Sequence, residues 1–194
     1  MTIQVDKVLD AKGLACPLPI VRTKKALEEL AHGCVLEVQA TDKGSLADLQ
    51  SWAKSTGHHY LGTKQAGNVL HHFIRKSAPA EAKDERDFPN TITNEELEQR
   101  IKETPPVTIV DVREPAEYAF AKISGAISIP LGQLEQRIQE LNQEDEICVI
   151  CRTGKRSDMA AQLLHEKGFK HVKNVVPGMS AWKGTVEQSN HLVQ

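Results

Sequence analysis

Two of the four cysteines in this chain sit where sulfur can be made nucleophilic. In Cys151-Arg152-Thr153-Gly154-Lys155-Arg156-Ser157, a thiol falls between a short apolar run, Ile147-Cys148-Val149-Ile150, and a stretch with the apolar spacing of a helix. A free cysteine titrates near about 8.5, and helix N-termini and cations lower that value, so Cys151 is expected to be largely ionised at neutral pH. The amides from Arg152 to Arg156 are expected to curl around the sulfur as an anion cradle, with Arg152, Lys155 and Arg156 attracting an anionic donor. Gly154 supplies a backbone angle that larger residues resist, and Ser157 is the expected N-cap.

The second thiol lies in Asp10-Ala11-Lys12-Gly13-Leu14-Ala15-Cys16-Pro17-Leu18-Pro19. Pro17 and Pro19 suit a helix's first turn, where their missing N–H groups cost nothing, and this places Cys16 at the N-cap. A thiol there feels the positive end of the helix. Cys148 and Cys151 have C-x-x-C spacing, yet three residues along a strand rise about 10 Å, beyond the roughly 7 Å limit for bridging Cα atoms, and their side chains alternate in direction. Cys148 and Cys34 are therefore read as small packed residues.

Elements must hold these thiols in place. Residues 3–9, 35–40, 59–63 and 69–74 read as strands and 17–30 and 45–54 as helices, in the order β-α-β-α-β-β, which predicts a two-layer α/β sandwich with both helices on one face. A capping box, Thr93-Asn94-Glu95-Glu96, opens a helix to about residue 103. Strands at 107–110, 126–129, 147–150 and 171–175 then alternate with helices at 115–120, 131–141 and 157–167, which predicts a parallel α/β sheet with helices on both faces. Between the two patterns, residues 77–89 lack apolar periodicity and are rich in charge and proline, as linkers are. The chain is thus divided into domains 1–76 and 90–194. The linker reaches at most about 45 Å and averages about 20 Å, which gives roughly millimolar effective concentration between the domains.

The loop at Cys151 resembles the active-site loop of the rhodanese family of sulfurtransferases. Agreeing with it are Asp111-Val112-Arg113-Glu114, then Ile123-Ser124-Gly125-Ala126-Ile127-Ser128-Ile129-Pro130, and Pro177-Gly178-Met179-Ser180-Ala181-Trp182 near the end. Two departures lie outside the loop: Ala121-Lys122-Ile123 replaces Gly-His-Ile, and Met179 replaces a glycine. The resemblance implies that Cys151 carries sulfane sulfur as a persulfide. Relatives with phosphatase activity have a loop one residue longer, so the spacing of Cys151 and Arg156 favours sulfur chemistry. Asp111 and Arg113 are open to two readings, a general base with an anion clamp or a structural ion pair that ties the loop region together. The segment around Cys16, through Lys25-Ala26-Leu27, resembles the TusA family of sulfur-carrier proteins, which implies that Cys16 holds a persulfide between proteins.

With a formal charge of −2 over 194 residues, few aromatics and no long apolar run, neither a nucleic-acid partner nor a membrane span is expected. The start lacks the pattern of a secretory signal, so a cytoplasmic location with reduced thiols is expected. His58, His59, His71 and His72 form two adjacent pairs, each able to offer one ligand to a given site; partial exposure on a sheet is expected, with no metal and no cofactor. The function expected is a sulfurtransferase. Cys151 takes sulfur from a small anionic donor, thiosulfate or a low-molecular-weight persulfide, and relays it to or from Cys16 and on to an acceptor thiol or sulfur-carrier protein. Transfer within one chain and across a homo-oligomer are equally compatible with the sequence. The alternative is a docking module whose thiols sense persulfide without turnover.

Overall fold

The computed structural model describes residues 3–78 and 87–188, and the chain divides into two compact units, one in each range. Most of the expected linker, residues 79–86, lies outside the described residues.

The first unit runs β1 (Lys7–Asp10), α1 (Leu18–Glu28), β2 (Val35–Ala40), α2 (Ser45–Ser55), β3 (His59–Ala66) and β4 (Val69–Arg75). Its sheet has the order β1-β2-β4-β3, with β1 parallel to β2 and the other pairs antiparallel. Alternation explains the layering. Leu36 and Val38 of β2 and Ile74 of β4 share one core with Ala26 and Leu27 of α1 and Leu49 and Ala53 of α2. Strand β3 runs three residues beyond its expected end, because the hairpin turns at Gly67, whose φ of +60° suits glycine, and the polar Lys64-Gln65 still pairs with β4. His72 departs from the expected partial exposure. It is fully buried between the Ser45 hydroxyl at 3.0 Å and the Tyr60 hydroxyl at 2.7 Å, and burial lowers its pKa to about 4.

The second unit runs β5 (Thr91–Thr93), α3 (Asn94–Arg100), β6 (Thr108–Asp111), α4 (Pro115–Phe120), β7 (Ile127–Ser128), α5 (Leu134–Arg137), β8 (Ile147–Ile150), α6 (Lys155–Glu166) and β9 (Val172–Val176). The five strands lie in the order β5-β9-β8-β6-β7, every described pair parallel. Val110 and Val149 face one core with Leu134 of α5 and Ala160, Ala161 and Leu164 of α6. Ile109, Cys148 and Ile150 face the opposite core with Leu97 of α3 and Tyr118 of α4. Side chains on both sides of β8 are buried, as strands covered by helices on both faces require.

Three expectations change. Edge strand β5 had no apolar run to announce it and pairs with β9 immediately before the capping box at Thr93. The expected helix 131–141 is broken into a 3-10 turn at Leu131–Gln133, α5, and another 3-10 turn at Ile138–Glu140; Pro130 and Gly132 favour that break. Asp87 and Phe88, assigned to the linker by composition, belong to the second unit, where Phe88 is buried in the core and both backbone N–H groups donate to Asp158. Among the described residues no helix is long and apolar enough to cross a membrane.

Candidate functional site

Parallel sheets present their loops for chemistry at the carboxyl ends of the strands. Cys151 follows β8 there, with Asp111-Val112-Arg113 leaving β6 on one side and Pro177-Gly178-Met179-Ser180 leaving β9 on the other. The sulfur lies at the floor of its loop, the residue being only 1% exposed. Gly154 N–H donates to Sγ at 3.2 Å, and the Ser157 hydroxyl lies 3.3 Å from it.

These donors face inward because the loop's carbonyls are engaged on the outside. Met179 N–H donates to the carbonyl of Cys151 and Ser180 N–H to that of Arg152, each at 2.8 Å. Such close approach needs Gly178. A Cβ there would stand 2.5 Å from the Cys151 carbonyl oxygen, and its φ is +88°. Asn94 then fixes Gly178 from both sides of the peptide, donating to its carbonyl at 2.9 Å and accepting from its N–H at 3.3 Å. Gly178→Ala is expected to lower sulfur turnover about tenfold or more by displacing that carbonyl, a loss to be read from steady-state rates of the folded variant.

The helix after the loop starts at Lys155 with Gly154, φ +84°, as its N-cap, so Ser157 does not hold the capping position expected of it. Ser157 sits within the first turn, its hydroxyl turned to the sulfur and, at 2.6 Å, to Asn174 Oδ1. Arg156 also departs from expectation. Two of its guanidinium nitrogens reach the Glu117 carboxylate at 2.7 and 2.8 Å, both side chains being buried, so its charge is met by α4. Arg152 is exposed and Lys155 partly so; they are the loop cations that reach solvent, with Thr153 half-buried between them. Asp111 and Arg113 close on each other, with Nε 2.9 and 3.0 Å from the two carboxylate oxygens and Nη2 2.6 Å from Oδ2. Arg113 Nη2 also donates to the Ala121 carbonyl at 2.6 Å. This is the geometry of an ion pair that holds the β6 exit to the end of α4.

Cys148 belongs to the other core, fully buried, and desolvation pushes its thiol up to about 12. It stays a neutral thiol at physiological pH.

In the first unit, Cys16 is exposed and precedes the N-cap, which is Pro17, by one residue; Pro19 lies in the first turn. The loop before it is pinned by Gly13 N–H on Thr41 Oγ1 at 2.9 Å, with Gly13 at φ +73°. The thiol's pKa is raised, opposite to the helix-end expectation. The first cause is a hydrogen bond to the carboxylate of Asp48 on α2, followed by partial desolvation and the negative charges of Asp48 and Asp42. A raised thiol pKa delays formation of the thiolate as pH rises. Asp48→Asn is therefore expected to shift the pH profile of Cys16 alkylation by iodoacetamide downward and to speed the reaction at neutral pH; an unchanged profile would contradict the assignment. Leu18 and Val21 at the start of α1 and Leu46 at the start of α2 are exposed.

Asn174, Glu117, Asp48 and Asn94 were not singled out from sequence. Asn174 did carry a signal, an amide inside the apolar run of a buried strand, where a polar side chain must find partners. No group of three or more His, Cys, Asp or Glu side chains placed to hold a metal occurs among the described residues.

Residues 7–76 match the family "Sulfurtransferase TusA", and residues 93–185 match the rhodanese-like domain. Over 180 residues the chain is 52% identical to "Putative sulfur carrier protein YrkF" of Bacillus subtilis, covering 93% of this chain and 97% of that protein. The chain belongs to this TusA–rhodanese family of sulfur carriers. The "Sulfur carrier protein TusA" of Allochromatium vinosum is 49% identical over 72 residues, 37% of this chain and 95% of its own length. A "Sulfurtransferase" from the same organism is 36% identical over 93 residues, 48% of this chain and 87% of its own. Each half of the TusA–rhodanese chain thus has relatives that exist as separate proteins, and each half holds one of the two thiols described above.

Proposed function

We propose that this TusA–rhodanese protein is a sulfurtransferase in which Cys151 takes sulfane sulfur from a small anionic donor such as thiosulfate or a low-molecular-weight persulfide, and exchanges it with Cys16. The observation that carries the reading is the sulfur of Cys151 on inward-facing donors from Gly154 and Ser157 at the carboxyl end of β8. The Cys151 thiolate attacks the outer sulfur of thiosulfate, the S–S bond breaks, and sulfite leaves with the bonding pair. The product is a persulfide on Cys151, its charge stabilised by the loop donors and the Arg152 and Lys155 side chains.

Relay then follows thiol-disulfide exchange. The Cys16 thiolate, having given its proton to solvent or a neighbouring carboxylate, attacks the outer sulfur; the Cys151 thiolate departs and the persulfide now sits on Cys16. Exposure of Cys16, together with that of Leu18 and Val21 on the helix that follows it, suits delivery to a protein acceptor.

Mass spectrometry after incubation with thiosulfate tests the scheme. The wild-type chain should gain the mass of one sulfur atom on both Cys151 and Cys16, and Cys151→Ser should leave Cys16 unloaded. Loading of Cys16 undiminished in that variant would overturn the order while leaving the carrier role intact. A persulfide-sensing or docking module is the second reading, and the Cys16 thiol held by Asp48 favours it. Near-zero turnover with cyanide or thiol acceptors, together with tight binding to a sulfur-handling enzyme, would select it.

A further inference from the structure

Both donors that face the Cys151 sulfur are held by one side chain outside the loop. Asn174, on β9 and fully buried, accepts from the Ser157 hydroxyl through Oδ1 at 2.6 Å, and through Nδ2 donates to the carbonyl of Gly154 at 3.0 Å. Nδ2 lies also 3.3 Å from Asp158 Oδ1. Two acceptors on one side fix the amide's orientation, since a carbonyl and a carboxylate both require a donor. Oδ1 therefore faces Ser157 and can only accept.

Ser157 has one proton to place. With Cys151 as a thiol, the S–H donates to Ser157 Oγ and the serine proton rests on Asn174. With an anionic sulfur, the serine proton turns to the sulfur. The bond to Asn174 thus sets the serine oxygen at its 3.3 Å station, from which its proton can turn to the sulfur. Through the Gly154 carbonyl it holds the residue whose N–H is the other donor.

Asn174 is itself anchored. Asp158, buried in the first turn of α6, also accepts the backbone N–H groups of Phe88 at 3.1 Å and Asp87 at 3.2 Å, and Gln162 Nε2 at 2.7 Å. Hydrogen bonds thus run without a gap from the segment that enters the second unit, through Asp158, Asn174 and Ser157, to the sulfur.

We propose that Asn174 is a positioning residue for sulfur transfer at Cys151, setting both donors on the sulfur, and that Asp158 ties this setting to the segment at Asp87 and Phe88. The inference rests on the sulfurtransferase reading above.

The test is a double-mutant cycle on the full chain, with thiosulfate as donor and cyanide as acceptor. Asn174→Ala should lower kcat about tenfold with KM for thiosulfate within about twofold, because the donors act on the reacting sulfur more than on the incoming anion. Ser157→Ala should lower kcat similarly. If Asn174 acts through Ser157, the double variant should lose at least about threefold less than the product of the two single losses. Asp158→Asn should lower kcat in the same direction and speed hydrogen exchange at the Phe88 amide. A fully multiplicative double loss, or wild-type kcat in Asn174→Ala, would overturn the positioning role; wild-type kcat in Asp158→Asn would overturn the tie to the entering segment. Should Asn174→Ala fail to fold by circular dichroism, Asn174→Ser, which keeps a short polar group, takes its place in the cycle with the same criteria. Cys151→Ser run alongside separates the two layers. Turnover that survives in it would reject the sulfurtransferase reading, whereas turnover lost there and unchanged in Asn174→Ala would reject only the inference.

Discussion

Cys151→Ser is expected to abolish thiosulfate-dependent turnover, while Cys148→Ser retains it. The two sulfurs are three residues apart and have opposite surroundings. Cys151 has donors from Gly154 and Ser157 and sits where two solvent-reaching cations of its loop can meet an anion. Cys148 is packed with Ile150, Leu97 and Tyr118, and burial holds its thiol at about 12, so it offers no thiolate at neutral pH. A serine at 151 keeps the shape of the site but has an alkoxide far out of reach and cannot form a persulfide. Serine at 148 puts a hydroxyl into an apolar core, at a cost of about 1–3 kcal/mol in stability with the active loop left in place. Steady-state thiocyanate production, paired with thermal melting of both variants, checks the division. Equal loss of turnover in two well-folded variants would contradict it.

Glu117→Ala is expected to be among the most destabilising single changes in the second unit, about 3–5 kcal/mol, because it leaves the Arg156 guanidinium buried without the carboxylate that accepts two of its hydrogen bonds. The cost comes from stranding a charge, so it should shrink when both partners are replaced. Glu117→Leu combined with Arg156→Met, apolar groups of similar size, should recover most of the lost stability, since well-packed apolar pairs often match buried ion pairs. Chemical denaturation of the three variants distinguishes this from a simple loss of packing. Failure of the double variant to recover would mean that Arg156 does more than balance Glu117, and would return it to the sulfur's surroundings.

The surroundings of the cysteines and of Arg156 also mark where the sequence could be read and where it could not. Most strands and helices and the two cysteine loops were legible because their signals are local: apolar runs in β2 and β8, prolines at the start of α1, a glycine where the loop must turn. What the local reading missed was the partner of each charged or titrating group. Counting cations around Cys151 assigned Arg156 to the sulfur, yet the carboxylate that engages it comes from α4. Reading Cys16 against its own helix end missed Asp48 and Asp42, supplied by α2 and the loop before it. Likewise the linker's composition hid Phe88, since the charged run before it and Pro89 after it masked a single side chain that the core of the second unit takes in. In each case the deciding partner is distant in sequence, and adjacency along the chain carries no information about it.

The clamp formed by Met179 and Ser180 on the loop carbonyls has a consequence for synthesis. A ribosome releases Cys151 well before residues 178–180, so the thiol exists for a time on a chain whose cradle lacks its outer half. The Cys151 and Arg152 carbonyls can be held from outside only after β9 and the turn beyond it have docked. A nascent or truncated chain that ends before residue 178 therefore carries Cys151 without the contacts that hold the carbonyls of its loop.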